Sequence, residues 1–231
     1  MRERFGREME RLVGAPGQYR YLLAVSGGAD SCVMALLFRQ AGLDFAIAHC
    51  NFHLRGADSD RDMELVRALA QQWEVPLFIE EFDTLALQQG SGLSVEMMAR
   101  QLRYDWFAKI GKDFDYIVTA HHANDAAETV LLNLCRGTGL KGLTAIPERN
   151  GNIIRPLLAF TAREIRESAN TPPPTSCPTL WTAPTRMSIS LATAYAITSF
   201  PNWSRSTRPC WTLLPKTEPY SKNNIIFTKN I

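Results

Sequence analysis

The chain has 231 residues, of which 45% are apolar and 21% are charged, so it is long enough for one sizeable domain and a smaller second segment. Its apolar runs are too short to span a bilayer, and its charged N-terminus has no apolar signal sequence, so we expect a cytoplasmic protein without membrane contact. The five cysteines are widely spaced and include no CxxC pair, which argues against a disulfide framework, a zinc ribbon or an iron–sulfur site.

The net charge of +2 conceals a change of composition near residue 170. Residues 171–231 contain six Lys or Arg and one acidic residue, and 27 of these 61 positions are Ser, Thr or Pro. A change this abrupt indicates two segments of different physical character. We therefore assign residues 1–170 to a folded domain and residues 171–231 to an irregular tail.

The first segment alternates apolar runs of strand length with longer runs of helical character. The predicted strands are 21–25, 45–48, 77–80 and 116–119, with a short fifth candidate at 153–154. The predicted helices are 32–42, 58–73, 94–110, 124–135 and 161–168. Asp30 and Ser31 are expected to cap the first helix, and Ser94 the third. Thr161 and Glu164 have the spacing of a capping box at the last helix.

Strands that alternate with helices predict an α/β fold, a Rossmann-like parallel sheet with helices on both faces. Ligands of such sheets bind at the carboxyl ends of the strands. The loops after the first, second and fourth strands are therefore the places to look for a site.

The loop after the first strand carries the clearest signal, the run Ser26, Gly27, Gly28, Ala29, Asp30, Ser31. Glycines let a ligand approach the backbone, and the following helix directs free N–H groups and the positive end of its dipole toward the same space. The run is neither a Walker A loop nor GxGxxG. It predicts an anion-binding loop, and the alternative is an ordinary strand-to-helix turn.

The motif SGGADS resembles the PP-loop of the N-type ATP pyrophosphatases, which cleave ATP between the α and β phosphates. Within that group the chain is similar to the tRNA(Ile)-lysidine synthetase family from about residue 20 to about residue 170. The supporting segments are HCNFHLRG (49–56), ARQLRY (99–104), TAHHANDAAET (119–129), CRGTGLKGL (135–143) and IIRPLL (153–158). The resemblance implies an adenine nucleotide α-hydrolase-like PP-loop fold.

The resemblance also implies a reaction. Enzymes of this family use ATP and Mg²⁺ to adenylate the C2 oxygen of the wobble cytidine in tRNA(Ile) with a CAU anticodon. The amine of free L-lysine then displaces AMP to give lysidine. The implied partners are thus ATP, L-lysine and that tRNA, and a homodimer is left open.

Two carboxylates fit a magnesium site beside the leaving group. Asp30 and Asp125 follow strands that we expect to be neighbours, and Mg²⁺ prefers carboxylate oxygens. Helix capping is the alternative for Asp30, and a helix-dipole interaction is the alternative for Asp125.

Polar residues after the second and fourth strands are candidates for holding the nucleotide. His49, Asn51 and His53, together with Arg55, follow the second strand, where PP-loop proteins bind the nucleotide. His121, His122, Asp125 and Glu128 crowd the start of the helix after the fourth strand, where they could orient ATP or the target cytosine. With one His and one acid on each helical face, a zinc site is disfavoured, and solvated capping is the alternative.

Cationic groups complete the candidate site. Arg100 and Arg103 lie three residues apart on one predicted helix and could contact phosphate or the anticodon stem, or simply face solvent. Gly137, Gly139 and Lys141 belong to a second glycine-rich loop, which by resemblance borders the active site. The alternative for Gly137 is a helix C-cap.

Two other functions stay open at this stage. One is a different PP-loop enzyme, such as a tRNA 2-thiocytidine synthetase, although that chemistry calls for cysteine pairs. The other is a non-catalytic ATP-binding remnant. The domain before the tail has a slight acidic excess, so we expect ATP binding to survive better than tRNA modification, and we expect impaired lysidine formation.

The resemblance stops after Asn170. The family continues with D-S-x-N, R-N-x-I-R, P-x-L and N-P, and none of these is present. When the third base of each codon is grouped with the first two bases of the next, the residues from 180 onward permit these signatures in the expected order, including R-N-R-I-R-H-H at 192–198. A frameshift near residue 170 explains this, and a shifted frame has no selected pattern of apolar residues, so the tail should be disordered or poorly packed. A genuine Pro/Thr/Ser-rich linker is the alternative.

Resequencing the gene across the codons for residues 165–231 tests the frameshift. We expect a base insertion or deletion near codon 170 that restores the missing signatures. An intact frame that encodes the tail as written would refute the explanation.

Overall fold

The computed structural model describes residues 1–137 and 144–170, with side chains through residue 169. Its helices are α1 Arg2–Val13, α2 Ala29–Ala41, α3 Ala57–Trp73, α4 Thr84–Gln88, α5 Val95–Ile110, α6 Ala123–Cys135 and α7 Ala162–Asn170. Its strands are β1 Arg20–Ala24, β2 Asp44–Asn51, β3 Leu77–Glu81, β4 Tyr116–Val118, β5 Arg149–Asn150 and β6 Ile153–Ile154. Gly139, Lys141 and the tail 171–231 lie outside the described residues.

The described strands form one sheet in the order β3-β2-β1-β4-β6-β5. All neighbours are parallel except β5 and β6, which pair antiparallel at one edge. In the centre, Leu22 of β1 lies between Ala46 of β2 and Ile117 of β4. The strands β1, β2 and β4 therefore end beside one another, and the loops that follow them share one edge of the sheet.

Successive strand residues point to opposite faces, and both faces are covered. On one face, Leu23 and Ile47 are 0% exposed and pack in a cluster that includes residues of α1, α2, α3 and α7. On the other face, Leu22 packs with Trp106 and Phe107 of α5. The predicted α/β sheet with helices on both faces is confirmed, and each predicted strand overlaps an observed one.

Two of the three predicted caps are confirmed. The Ser94 hydroxyl accepts a hydrogen bond of 3.2 Å from the Met97 N–H at the start of α5. Before α7, the Thr161 N–H donates to the Glu164 carboxylate at 2.7 Å, and the Glu164 N–H donates to the Thr161 hydroxyl at 3.3 Å. These are the two halves of a capping box.

The cap predicted for α2 is wrong. Gly28 is the N-cap residue, and its extended backbone (φ −73°, ψ 161°) starts the helix at Ala29 without a side-chain cap. Asp30 and Ser31 therefore lie inside the first turn of α2. The Asp30 carboxylate is not used as a cap and remains available to the site.

The helices α1 and α4 and the edge strand β5 are absent from the sequence prediction. Although α1 is highly charged, its residues Phe5, Met9 and Val13 recur every four positions and are 0%, 1% and 9% exposed. This spacing puts the three side chains on one helical face, and that face packs in the main core. Each helix in the described part of the chain is too short or too polar to cross a membrane.

The burial of α1 predicts a difference between two methionines. Met9→Ala should lower the free energy of unfolding by roughly 2–5 kcal/mol, because it leaves a cavity in the core. The matched control is Met97→Ala on α5, whose side chain is 56% exposed; we expect a change within about 0.5 kcal/mol. Urea unfolding followed by circular dichroism measures both, and equal effects would show that α1 does not belong to the core.

Candidate functional site

The loop between β1 and α2 is braced by its own serine side chains. Ser31 is 5% exposed, and its hydroxyl donates to the Gly28 carbonyl at 2.9 Å and accepts from the Ser26 N–H at 3.1 Å. The Ser26 and Ser31 hydroxyl oxygens lie 3.2 Å apart. These hydrogen bonds hold the loop in a compact turn that leads into the N-terminus of α2. The first-turn N–H groups of α2 have no acceptor within the helix.

Gly27 holds the loop against helix α3. Its φ of +85° is in the left-handed region, and a Cβ at this position would lie 2.6 Å from the Cβ of Asp62. Only glycine fits both the backbone angle and the space. Asp62 itself pairs with Arg55, which follows β2.

Asp30 and Asp125 meet on either side of one imidazole, as their positions after neighbouring strands predict. His122 Nε2 lies 3.8 Å from an Asp30 oxygen, and its Nδ1 lies 3.3 Å from an Asp125 oxygen. Burial raises the pKa of Asp30, and the negative charge of Asp125 raises it further, whereas His122 opposes the shift. Two neighbouring carboxylates repel each other when both are charged, and a cation bound between them would relieve that repulsion.

Asp125 also helps to cap the helix at whose start it lies. The Asp125 carboxylate accepts from the His122 N–H at 2.9 Å, and the Asp125 N–H donates to His122 Nδ1 at 3.3 Å, so that the two residues form a capping box for α6. Glu128 lies one helical turn further along α6. Within residues 1–137 and 144–169, no group of three or more His, Cys, Asp or Glu side chains is arranged to hold a metal without other ligands.

His49 and Asn51 lie within β2, which extends to Asn51, and not after the strand as the sequence predicts. Together with His53, which follows the strand, they mainly organise their local structure. His49 is 3% exposed, and its Nδ1 lies 2.8 Å from the carbonyl of Val25, just before the loop 26–31. Asn51 is 2% exposed; its side-chain oxygen accepts from the His53 N–H at 2.9 Å, and its amide donates to Asp60 at 3.3 Å. His53 has a left-handed φ of 52° and lies 2.9 Å from Glu81. These contacts fix the loop geometry beside the site.

His121 lies among positive charges at the end of β4. Its Nδ1 is 3.0 Å from the Thr119 hydroxyl. Burial lowers the pKa of His121 to about 4, with Asp125 opposing the shift and Arg155, Arg103 and Arg100 adding to it. The structure therefore brings both predicted arginines of α5 to the same edge of the sheet as His121, and it keeps this imidazole neutral near pH 7.

The two arginines of α5 rest on aromatic rings. The guanidinium of Arg100 lies 5.1 Å from the ring centre of Tyr104, and that of Arg103 lies 5.3 Å from the ring centre of Phe52. Such contacts hold a guanidinium in place without neutralising its charge.

Two residues near the site were missed from the sequence, Asp62 and Arg155. Asp62 is an ordinary charged position on an amphipathic helix, and no sequence signal marks it. Arg155 interrupts the apolar run IIRPLL directly after β6, and that interruption was the available signal. Its side chain is buried at 5% exposure, and its Nη1 donates to the Pro147 carbonyl at 2.7 Å.

Gly137 ends α6 with a φ of +66°, which agrees with the helix C-cap interpretation. The rest of that glycine-rich loop, with Gly139 and Lys141, falls between the two described ranges, so their predicted contacts stay predictions.

The glycine loop at the end of β1 lies within the part of the chain that matches known proteins. The PP-loop domain family matches residues 1–172 of this chain. The chain belongs to that family. One solved structure, the U34-tRNA thiolase NcsA from Methanococcus maripaludis with its [4Fe-4S] cluster, has a TM-score of 0.60 and 18% identity and covers 76% of this chain and 67% of that one. At this identity the likeness supports the fold alone.

The sequence resemblance is also confirmed by curated relatives. This PP-loop chain is 46% identical over 159 residues to the tRNA(Ile)-lysidine synthase of Porphyromonas gingivalis strain W83, a match to 68% of this chain. It is 47% identical over 148 residues to that of Bacteroides thetaiotaomicron, a match to 63% of this chain. Both matches cover 35% of the relative, so the chain spans about a third of the length of these proteins.

The low pKa of His121 predicts an acid-sensitive fold. The folded domain resists protonation of this ring until about pH 4, whereas the unfolded chain takes up the proton near the ordinary value of 6.5. Its contribution to stability is therefore complete above pH 6.5 and is lost as the pH falls toward 4.

Urea unfolding of wild type and His121→Gln at several pH values measures this loss. Wild type should lose up to roughly 3 kcal/mol more than the variant between pH 6.5 and 4. Because His49 is present in both proteins, its own titration cancels from the difference. Parallel stability curves would contradict the prediction.

Proposed function

We propose that this chain binds ATP and carries out the adenylation chemistry of a tRNA(Ile)-lysidine synthetase. The observation that carries the proposal is the meeting of Asp30 and Asp125 around His122, next to the braced loop 26–31. Phosphate oxygens and carboxylates at one sheet edge are the ligands of a Mg–ATP complex. The similarity to curated tRNA(Ile)-lysidine synthases supports this choice of substrate.

The loop is proposed to hold the leaving pyrophosphate. Residues 26–31 offer backbone N–H groups, the Ser26 hydroxyl and the positive end of the α2 dipole, while the Ser31 hydroxyl donates to the Gly28 carbonyl and braces the loop. These groups are fixed before the ligand arrives, because the serine hydrogen bonds and the packing of Gly27 on α3 already set the loop conformation. Preorganised donors stabilise the charge that develops on the departing group.

Asp30 and Asp125 are the proposed magnesium ligands. When bound, Mg²⁺ would neutralise phosphate charge and withdraw electrons from the leaving group. Two carboxylates are a suitable protein contribution, because Mg²⁺ usually completes its shell with water and phosphate oxygens. The mutual repulsion that raises the pKa of Asp30 would be relieved by the cation.

The proposed reaction has two displacements. The C2 oxygen of the wobble cytidine attacks the α phosphorus of ATP, and the bond to the β-phosphate oxygen breaks to release pyrophosphate. The amine of L-lysine then attacks C2, AMP leaves with the oxygen, and the amine loses a proton. Arg100, with Arg103 beside it, is proposed to stabilise negative charge on the α phosphate.

The neutral histidines are proposed to orient the nucleotide. His121 stays unprotonated near pH 7, so it can exchange hydrogen bonds with adenine, ribose or cytosine without adding another positive charge. His49, Asn51 and His53 are proposed to shape the nucleotide pocket after β2, and Gly137 and Gly139 to border it. Free L-lysine and tRNA(Ile) with a CAU anticodon are the proposed partners, in the cytoplasm.

Cleavage of ATP and modification of tRNA are separate proposals for this chain. The match covers only 35% of each relative, so the grip on tRNA in those proteins can involve regions beyond the match. We therefore propose that ATP binding is intact and that lysidine formation is impaired. A non-catalytic ATP-binding protein would bind ATP without releasing pyrophosphate.

Pyrophosphate release from ATP, with L-lysine and tRNA(Ile) transcript present, tests the proposal. Asp30→Asn should lower the rate by about 100-fold or more, because it removes a carboxylate from the charge-stabilising site. The matched control is Asp44→Asn, which removes an exposed carboxylate paired with Arg20 at the opposite end of β2 and should leave the rate unchanged.

Three results would count against the proposal. Equal rates for the two variants would move the chemistry away from the loop 26–31. Repeated turnovers of release that do not depend on L-lysine would favour another PP-loop enzyme. ATP binding without any release would favour the non-catalytic protein.

A further inference from the structure

Arg155 places a permanent positive charge inside the protein. The side chain directly follows β6, is 5% exposed, and donates from Nη1 to the Pro147 carbonyl at 2.7 Å. Its Nε is buried and has no hydrogen-bond partner. Because a guanidinium cannot lose its proton in a protein, both the charge and the Nε–H donor remain unsatisfied.

The surroundings of Arg155 do not neutralise it. Across residues 1–137 and 144–169, no carboxylate lies within 4.0 Å of its nitrogens. By contrast, the exposed Arg4, Arg20, Arg55 and Arg61 are each paired with an acid. A buried unpaired charge costs far more free energy than an exposed one, so the pattern is the reverse of what stability alone would favour.

The position of Arg155 connects it to the proposed site. The Thr119 N–H of the neighbouring chain segment donates to the Ile154 carbonyl at 3.1 Å, so Arg155 leaves the sheet beside the residues that lead to His121. The charge of Arg155 acts on the His121 ring together with those of Arg103 and Arg100. The positive charges of all three guanidiniums therefore lower the pKa of His121, after the larger effect of its burial.

We propose that Arg155 forms the floor of an oxyanion subsite that receives a phosphate or a carboxylate through its Nε edge. The Nη1 bond to the Pro147 carbonyl fixes the plane of the guanidinium and leaves the Nε–H as its buried donor without a partner. A planar guanidinium matches the two oxygens of either anion. Binding the anion would satisfy the orphan donor and neutralise the buried charge in one step.

Two groups in the proposed reaction have this chemistry, and the identity of the probes rests on the proposed function. One is the phosphate that AMP carries, and the other is the carboxylate of free L-lysine. The guanidiniums of Arg100 and Arg103 lie over aromatic rings, and both residues are proposed to contact phosphate. Arg155 is the additional, buried anion-binding group, and the experiment distinguishes the phosphate of AMP from the carboxylate of L-lysine as its ligand.

Calorimetric titrations of the full chain compare each anion with a probe that lacks it. AMP is compared with adenosine, and L-lysine is compared with cadaverine, which is lysine without its carboxylate. Arg155→Lys keeps the positive charge and loses the planar guanidinium. In this variant the ratio of affinities within one of the two pairs, AMP over adenosine or L-lysine over cadaverine, should fall roughly 10- to 100-fold. Loss of the AMP preference assigns the phosphate, and loss of the lysine preference assigns the carboxylate.

The matched control is Arg149→Lys. Arg149 lies on the neighbouring β5, is exposed, and donates to the Gly151 carbonyl at 3.1 Å. It should keep both preferences. A folded Arg155→Lys protein that also keeps both preferences would overturn the proposal.

A measurement on wild type covers the case in which Arg155→Lys does not fold. The Nε–H proton of Arg155 is buried, so its nitrogen–proton NMR signal should be observable and should shift with one anion and not with that anion's neutral counterpart. In that case, a signal that responds to none of the four probes overturns the subsite. If the anions bind as described but wild type releases no pyrophosphate, the proposed function fails and the subsite stands.

Discussion

The parallel pairing of β1 with both β2 and β4 is the constraint on which the rest of the structure depends. Because the three strands run in the same direction, their carboxyl ends meet at one edge, and residues far apart in the chain become neighbours there. Asp30 and Asp125 approach a shared histidine only through this pairing. The two packed faces of the sheet hold the strands in this register, so the site takes its geometry from a buried core rather than from mobile loops.

The charges at this edge are separated in a way that suits the proposed chemistry. The carboxylates of Asp30 and Asp125 lie beside the glycine loop, where a cation would compensate them. The guanidiniums of Arg100, Arg103 and Arg155 act on His121 at the end of β4. A Mg–ATP complex carries both signs of charge, and a divided site of this kind can bind its cation and its phosphates in different places.

The loop 26–31, which we propose binds phosphate, is held in place by contacts within the protein. Ser26 and Ser31 bond within the loop, His49 bonds to the carbonyl of Val25 just before it, and Gly27 packs against Asp62 of α3. Because these contacts already order the loop, the proposed binding of a phosphate there would cost little conformational entropy.

The sequence by itself determined the alternation of strands and helices, the place of the glycine loop after β1 and the neighbourhood of Asp30 and Asp125. Apolar period, glycine spacing and strand order are local or topological signals. It misjudged the start of α2, since the backbone of Gly28, and not a side chain, begins that helix. It also missed α1, whose apolar stripe is diluted by charge, and the burial of Arg155. Only the tertiary structure decided those points, because burial and pairing depend on which elements pack together, and no residue reports its packing partner in its own local sequence.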